Sequence, residues 1–196
     1  MGILGAISNA VSAAFSKYTT LNWQPMNGNS RVPGTAIETG RESDGRKLYT
    51  ARIMYQGSYQ IGKYSPDSGH MHFGYGGEEI TVKTQIGFDI LCGTSMMYHW
   101  VKVKMPDGAA TPAFCKEDLW GEFLPFNAGN ETDGKVLYVA RHKHKGGVQP
   151  GKAGYHLGMS YGYDGKERYA KHTYELLAFS PHLAKKMQEE AEQGSA

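Results

Sequence analysis

Apolar and polar residues alternate along much of this chain, and the alternation predicts β-strands. Over residues 48–55 the period is two, as expected of a strand with one face turned towards a core. The runs at 88–92 and 174–179 are the most continuously apolar and are predicted to lie in the core. The 26 glycines and 13 tyrosines favour a turn-rich β protein over a helical one. The predicted fold class is therefore all-β.

A helical pattern of apolar residues occurs only near the two ends of the chain. A short, polar C-terminal helix is predicted to begin near Pro181. An amphipathic N-terminal helix is predicted over residues 1–20, with only one cation, Lys17, on its polar face. Helices that bind anionic membranes are usually richer in Lys and Arg. Packing on the body of the protein or on a second copy is therefore preferred, and membrane contact through residues 1–18 is not favoured.

The chain contains an internal duplication. Residues 38–63 align with 127–152 without a gap and agree at twelve of twenty-six positions. The likeness continues, with one gap, to 88–91 and 174–177. Two copies predict a pseudo-symmetric pair of β units rather than a solenoid. The predicted organisation has four parts: an N-terminal helix at 1–20, a first repeat at 21–95, a second repeat at 96–179, and a C-terminal helix and tail at 180–196.

Each copy carries an Asp-Gly hairpin signal, at 44–45 and at 133–134. Glycine adopts a positive φ at little cost and aspartate tolerates it, so Asp44 and Asp133 are predicted to form turns rather than to bind ligands. Two arginines lie at matched positions in the strand that follows. They are expected to be structural and to pair with carboxylates, Arg52 and Arg141 with partners such as Glu79 or Glu167.

Charge and cysteine content exclude several classes of function. The net charge of +2 is too small to attract nucleic acid by electrostatics alone. Cys92 and Cys115 cannot build a disulfide framework, have no zinc-ligand spacing, and are interpreted as reduced thiols. The N-terminus lacks the basic segment of a signal peptide and is too short and polar to span a bilayer. These features predict a cytoplasmic protein, or one released without a signal peptide.

Neither a metal site nor a catalytic centre is predicted. Two His-x-His pairs, at 70–72 and 142–144, place imidazoles on one strand face, but no third ligand follows at a fixed spacing. A glycosidase needs two carboxylates at a defined separation, and the sequence supplies no matched acid/base pair. The protein is therefore expected to be non-enzymatic and to use no cofactor.

The repeated unit resembles the DM9 repeat. The first copy has the ordered blocks Val32–Ile37, Gly40–Gly45, Leu48–Arg52, Gly62-Lys63, Gly76–Glu79 and Phe88–Leu91, and the second has Gly129–Gly134, Leu137–Arg141, Pro150–Lys152, Gly165–Glu167 and Tyr174–Leu177. Trp23 opens the first copy, whereas Trp100, Pro112 and Trp120 are all candidates for the start of the second. The resemblance covers roughly residues 22–178.

This resemblance implies two intertwined β repeats with one sugar pocket in each, as in tandem-DM9 mannose-binding lectins. The family's acidic residue and lysine then correspond to Glu42 with Lys63 and to Glu131 with Lys152. Glutamate replaces the family's aspartate in both copies. The implied function is non-enzymatic binding of mannose or mannose-containing glycans, used in recognition such as innate immunity or host–parasite contact. A carboxylate accepts hydrogen bonds and an ammonium donates them, so the pair can hold two sugar hydroxyls.

Other interpretations remain open at the level of sequence. Each Glu–Lys pair could be a surface salt bridge, which is usually worth ~0–1 kcal/mol. On that basis both lysines are expected to be exposed, and alanine substitutions are expected to leave the thermal midpoint nearly unchanged. The protein could also be an intracellular structural or vesicle-associated interaction protein, or a membrane-active, pore-forming protein. The bare apolar stripe of the N-terminal helix predicts a homo-oligomer, at least a dimer.

Overall fold

The computed structural model describes residues 21–27, 30–105 and 123–193, and this part of the chain is almost entirely β. A 3-10 turn covers Thr84–Ile86 and one helix, α1, covers Pro181–Gln193. The strands are β1 (Asn22–Met26), β2 (Glu38–Arg41), β3 (Lys47–Tyr55), β4 (Ser58–Ser65), β5 (His70–Tyr75), β6 (Glu78–Lys83), β7 (Phe88–Cys92), β8 (Tyr98–Lys104), β9 (Asn127–Asn130), β10 (Val136–His144), β11 (Gly147–Gly154), β12 (Gly158–Tyr163), β13 (Lys166–Tyr169) and β14 (Thr173–Phe179). The predicted all-β class is confirmed.

The strands form one sheet whose order makes the duplication visible. Hydrogen-bonded neighbours follow the order β1-β7-β3-β4-β5-β6-β13-β12-β11-β10-β14-β8. The first six belong to the first copy, and the last six are their counterparts in reverse order. The copies join at the centre, where Lys166 of β13 pairs with Glu78 of β6. A pseudo-twofold relation therefore runs between β6 and β13, as two tandem repeats predict.

Strands β2 and β9 lie outside this order, and they connect the two copies. β2 pairs with β3 of its own copy and also with β11 of the other copy, where Arg41 lies opposite Val148. Its counterpart β9 pairs with β10 and contacts β4. A Cβ atom on Gly40 would lie 2.2 Å from the carbonyl oxygen of Val148, and one on Gly129 would lie 2.3 Å from that of Tyr59. Glycine at these two positions therefore permits the strands of the two copies to approach each other this closely.

The two Asp-Gly hairpins form as predicted. Gly45 has a φ of +88°, a conformation that glycine adopts with little strain. The carboxylate of Asp44 accepts the backbone N–H of Arg46 at 3.1 Å, and that of Asp133 accepts the backbone N–H of Lys135 at 3.1 Å. Both aspartates are therefore turn formers, which is the role that the sequence assigned to them.

Trp100 is the structural counterpart of Trp23. Trp23 of β1 lies opposite Leu91 of β7, and Trp100 of β8 lies opposite Leu177 of β14. Leu91 and Leu177 occupy the same position in the duplicated sequence. The other two candidate starts, at positions 112 and 120, lie outside the described residues.

The predicted partners of the two mid-strand arginines were wrong. Arg52 pairs with Asp89 at 3.1 Å, and Arg141 pairs with Glu175 at 2.7 Å. Each partner lies directly across the sheet on the neighbouring strand, β7 or β14. Both guanidinium groups also lie over an indole ring, at 4.4 Å from the centroid of Trp23 and 3.9 Å from that of Trp100. The arginines are structural, but the register of the sheet determines which carboxylate each of them meets.

The carboxylates that the sequence assigned to those arginines instead hold the turns where the copies meet. Glu79 accepts the backbone N–H of Gly165 at 2.9 Å, and Glu167 accepts the backbone N–H of Gly77 at 3.0 Å. In each case the side chain comes from one copy and the turn from the other. These reciprocal bonds fasten the β5–β6 hairpin to the β12–β13 hairpin.

Among the residues that the structure describes, the core has three clusters of buried apolar side chains, and one of them spans both copies. Two clusters belong mainly to single copies, one around Phe73 and Ile90 and the other around Met159 and Tyr174. The third contains Leu91 of the first copy and Leu177 of the second. Helix α1 begins at Pro181 as predicted, and it buries Leu183 and Met187 in this shared cluster, so one edge of the helix is apolar.

Some sequence predictions lie outside the described residues, namely the N-terminal helix and Cys115. Cys92 is buried with a free thiol, and burial raises the pKa of that thiol. Within residues 21–27, 30–105 and 123–193, no helix combines the length and the apolar character that a membrane span requires.

Candidate functional site

Each predicted Glu–Lys pair lies in a pocket of the surface. The ammonium nitrogen of Lys63 is 3.7 Å from a carboxylate oxygen of Glu42, and that of Lys152 is 3.3 Å from a carboxylate oxygen of Glu131. The first pair borders a pocket of about 470 Å³ and the second a pocket of about 380 Å³. The structure therefore brings together the residues that the sequence paired, once in each copy.

Both lysines are buried, which corrects the expectation that they are exposed. Lys63 on β4 is 5% exposed and Lys152 on β11 is 3% exposed. Each strand lies between two neighbours, and Lys63 has Thr50 on one side and His72 on the other. A buried ammonium is costly unless nearby groups accept its hydrogen bonds and balance its charge. The surroundings of the two lysines supply such groups.

In the first pocket a glutamine from the other copy links the lysine to the glutamate. The ammonium of Lys63 donates to the amide oxygen of Gln149 at 2.6 Å. The amide nitrogen of the same Gln149 donates to the carboxylate of Glu42 at 2.8 Å. The amide oxygen thus faces the cation and the amide nitrogen faces the anion. Charge alone dictates this orientation. A flipped amide would turn its N–H groups towards the ammonium and its oxygen towards the carboxylate, so neither hydrogen bond could form.

The second pocket repeats the arrangement with the copies exchanged. Lys152 donates to the amide oxygen of Gln60 at 2.6 Å, and the amide nitrogen of Gln60 donates to Glu131 at 2.9 Å. That nitrogen also donates to the hydroxyl of Ser58 at 2.9 Å. Both glutamines are fully buried. Each pocket therefore contains a Lys–Gln–Glu chain whose glutamine comes from the opposite repeat.

The first pocket has further acidic character next to its lysine. A carboxylate oxygen of Glu79 lies 4.0 Å from the Lys63 nitrogen and 3.7 Å from the His72 ring. Burial lowers the pKa of the Lys63 ammonium, and the carboxylates of Glu42 and Glu79 oppose that shift. The ammonium donates its short hydrogen bond to the glutamine, at 2.6 Å, whereas the two carboxylates lie 3.7 Å and 4.0 Å from its nitrogen.

A tyrosine from the opposite copy stands over each lysine. The Lys63 nitrogen lies 5.1 Å from the ring centroid of Tyr163, and the Lys152 nitrogen lies 5.4 Å from that of Tyr75. Both tyrosines line the respective pockets. Each pocket thus combines a polar floor with an aromatic wall, a combination typical of small-molecule sites.

The two pockets differ in their second layer of side chains. His72 beside Lys63 is replaced at the equivalent position by Ser160 beside Lys152. The second pocket has instead His156, whose ring nitrogen lies 3.6 Å from Glu131. It is also lined by Tyr169, whose pKa is raised to about 12 by burial and by the neighbouring Glu167. The copies therefore share a binding floor but not all of its surroundings.

His72 predicts a pH dependence of stability that belongs to the first pocket. Burial lowers the pKa of its imidazole, against the opposing effect of Glu79 and with help from Lys63 and His70. Below the unfolded value of 6.5, the unfolded chain binds a proton more readily than the folded one. The free energy of unfolding should therefore fall as the pH drops from about 6.5 towards the lowered pKa.

The matched test is the substitution His72→Ser, which places in the first copy the residue found in the second. Urea unfolding at several pH values between about 4 and 7 should show a weaker acid-side loss of stability in the variant. His144, whose pKa burial also lowers, contributes a loss that the variant retains. An identical pH profile for the two proteins would contradict the assignment to His72.

The His-x-His pairs take part in ring contacts rather than forming a recognisable ligand set. The rings of His70 and His72 lie 6.1 Å apart, and His144 packs 4.6 Å from the ring of Tyr163. The ring of His142 bonds the carbonyl oxygen of Thr173 at 2.8 Å. In the described ranges, no group of three or more His, Cys, Asp or Glu side chains is placed to hold a metal ion.

Sequence reasoning missed four side chains that complete the pockets. Gln60 and Gln149 occupy matched positions in the duplication, and Tyr75 and Tyr163 precede matched turns. A signal for the glutamines was present, since both recur in strands in which all other residues but one are buried. A polar side chain that recurs in a buried strand requires a partner. The pattern does not say that this partner lies in the other copy.

Comparison with known proteins identifies the repeat. The sequence profile of the DM9 repeat matches residues 13–82 and 131–193, which together are more than half of the chain. The crystal structure of the nematode sperm cell motility protein MFP2B is similar, with a TM-score of 0.58 and 17% sequence identity. The match covers 82% of this chain and 47% of that one, so this chain spans about half the length of MFP2B. At this identity the likeness shows the fold alone. No match was found among curated proteins.

Proposed function

We propose that this chain, which belongs to the DM9 repeat family, is a non-enzymatic lectin that binds mannose or mannose-containing glycans at two sites. The sites are Glu42 with Lys63 and Glu131 with Lys152. The observation that carries the proposal is the buried Lys–Gln–Glu chain at the edge of each pocket. Recognition of glycans, as in innate immunity or host–parasite contact, is the role that follows.

The chemistry of these groups suits a pair of neighbouring sugar hydroxyls. The glutamine occupies one carboxylate oxygen of Glu42, and the other oxygen lies 3.7 Å from Lys63. That oxygen can accept from one hydroxyl while the ammonium donates to the next. The tyrosine wall offers an apolar face to the ring of the sugar. Charge-assisted bonds of this kind are about twice as strong as neutral ones.

Burial argues against a merely structural salt bridge. Exposed Lys–Glu pairs cost little to form and contribute little. Lys63 and Lys152 are instead withdrawn from water, which generally costs more than an apolar residue of similar size would. Both copies retain such a buried lysine together with its bridging glutamine. Ligand binding explains this retention better than a contribution to stability does.

The same geometry supports a protein that is not an enzyme. In glycosidases two carboxylates flank the scissile bond, one of them acting as an acid. Here the Lys63 ammonium lies within 4.0 Å of both Glu42 and Glu79, so both carboxylates face a cation. We propose that the pocket holds a sugar without cleaving it, and that it needs no cofactor.

Titration calorimetry with methyl α-mannoside tests the proposal. The expected result is two sites per chain with dissociation constants in the millimolar range, because lost hydration offsets most of each hydrogen bond. Galactose, with a different arrangement of ring hydroxyls, is the control and should bind more weakly. The absence of binding to mannose or to mannose-rich glycans at millimolar concentration would contradict the proposal.

Weak single sites imply that avidity matters. Two sites on one chain, multiplied in an oligomer, can raise the apparent affinity by ~10²–10⁴ without any new contact. We propose a homo-oligomer assembled through the amphipathic segment at residues 1–20. We also propose that the protein is cytoplasmic or released without a signal peptide, and that nucleic acid is not a partner.

A second candidate function is that of an interaction protein without sugar binding. The specific observation in its favour is the fold likeness to a protein whose name describes sperm cell motility. In that case the pocket residues would serve only to hold the fold together, and the calorimetry above would show no heat of binding with any sugar. A membrane-active role through residues 1–18 is distinguished by dye release from liposomes.

A further inference from the structure

We propose that Gln149 and Gln60 are positioning residues that act across the duplication, so that each binding pocket depends on the opposite repeat. The inference rests on the proposed function in that it describes the same two pockets. It goes beyond that function by assigning the control of each Glu–Lys pair to a residue of the other copy. Neither glutamine belongs to the pairs predicted from the sequence.

The bridging glutamine determines where the two ligand-facing groups can be. The Lys63 nitrogen lies 2.6 Å from Gln149 but 3.7 Å from Glu42, so its hydrogen bond is to the amide. The carboxylate of Glu42 is likewise held by the amide nitrogen of Gln149 at 2.8 Å. In the second pocket the equivalent lysine also donates directly to its glutamate, at 3.3 Å. The glutamine therefore fixes the positions of the ammonium and the carboxylate in both pockets, and in the first pocket it holds them 3.7 Å apart.

Further contacts in both pockets run in the same crosswise direction. Tyr163 of the second copy lies over Lys63, and Tyr75 of the first copy lies over Lys152. The turns that carry these tyrosines are held by carboxylates of the opposite copy, Glu79 and Glu167. The polar floor and the aromatic wall of each pocket thus both depend on residues of the two repeats. A single repeat would have a lysine and a glutamate without the amide between them and without the aromatic wall.

This arrangement predicts that a substitution of the glutamine in one repeat weakens the binding site of the other repeat. Gln149→Met removes both hydrogen-bonding groups at similar side-chain volume. Calorimetry should show at least ~10-fold weaker binding at the Glu42–Lys63 site and an unchanged Glu131–Lys152 site. Adding Lys63→Met should leave one intact site, whereas adding Lys152→Met should leave none. Gln188→Met, on the exposed face of α1, is the control and should retain both sites.

A second measurement does not depend on sugar binding. The side-chain nitrogen of Lys63 can be followed by NMR and assigned from its absence in Lys63→Met. Loss of the amide acceptor should lower the measured pKa of the Lys63 ammonium. The Lys152 signal should keep its chemical shift in this variant, whereas in Gln60→Met the Lys152 signal should move and the Lys63 signal should not. Gln149→Asn, which withdraws the amide by one methylene and keeps its polarity, serves if the methionine variant does not fold.

The outcomes separate this inference from the proposed function. If the wild-type chain binds no sugar but Lys63 responds to Gln149→Met as expected, the lectin proposal fails and the crosswise control stands. If Gln149→Met weakens the Glu131–Lys152 site, or changes neither the Lys63 signal nor the first site, the crosswise control is overturned.

Discussion

Replacing Lys63 by methionine should remove one of the two sugar sites and also lower the stability of the fold. The substitution leaves the amide oxygen of Gln149 without its donor and leaves Glu42 and Glu79 without the cation they face. Unsatisfied groups of this kind cost about 1–3 kcal/mol. For a chain of this size, each kcal/mol corresponds to roughly 2–4 °C in the midpoint of thermal unfolding. Lys152→Met should behave in the same way for the second site.

An exposed lysine provides the matched control. Lys135 lies only 2.6 Å from Asp133, a shorter ion pair than either buried one, but its side chain is 56% exposed. Lys135→Met should therefore change the free energy of unfolding by less than about 0.5 kcal/mol. Adding Glu42→Gln to Lys63→Met should restore part of the lost stability by removing an unbalanced charge. Equal stability of Lys63→Met and the wild type would show that the lysine is not held as described.

Replacing Gly151 by alanine should strongly destabilise the fold, because the added methyl group has no room there. Its new Cβ would lie 2.1 Å from the carbonyl oxygen of Ser160 and 2.8 Å from the Cβ of Tyr161. No rotamer avoids a contact made by Cβ, so β11 and β12 must separate. Overpacking costs typically about 1–3 kcal/mol and occasionally more, and this clash should lie at the upper end because it is with the backbone. Because Lys152 is the next residue, the second sugar site should be lost together with stability.

Gly34→Ala is the control for this experiment, because nothing lies within 4 Å of its added Cβ. It should be neutral or stabilising by up to about 1 kcal/mol. Chemical denaturation gives both values. The first copy offers a second test, since a Cβ on Gly62 would lie 2.1 Å from the carbonyl oxygen of His72. Gly62→Ala should therefore destabilise the fold similarly but affect the first site. A Gly151→Ala protein as stable as Gly34→Ala would contradict this account of the packing.

Local features of the fold followed from the sequence because they depend on neighbouring residues. The Asp-Gly hairpins at 44–45 and 133–134 form through bonds that span two residues. The apolar runs that became β7 and β14 needed only hydrophobicity to be assigned to the core. The C-terminal helix begins at Pro181, where the residue type itself favours a helix start. In all these cases the cause lies within one turn or one strand.

The partners of charged side chains did not follow from the sequence. A period of two states which face of a strand a residue occupies, but not which strand lies across from it. Arg52 was expected to pair with a carboxylate such as Glu79 or Glu167 and instead meets Asp89, because β3 pairs with β7 in the sheet. The burial of Lys63 was missed for the same reason, since a lysine becomes buried only when neighbouring strands cover it.

The sequence by itself determined that this protein is a duplicated β structure with matched Glu–Lys pairs, because duplication, turns and periodicity are written in the order of residues. Only the tertiary structure decided that each pair is completed from the opposite copy. Lys63 and Gln149 are 86 residues apart and meet at 2.6 Å. They meet because β2 and β9 pass between the copies, which the absence of a Cβ at Gly40 and Gly129 permits. The close approach of two distant backbones is a property of the folded chain, and no local pattern specifies it.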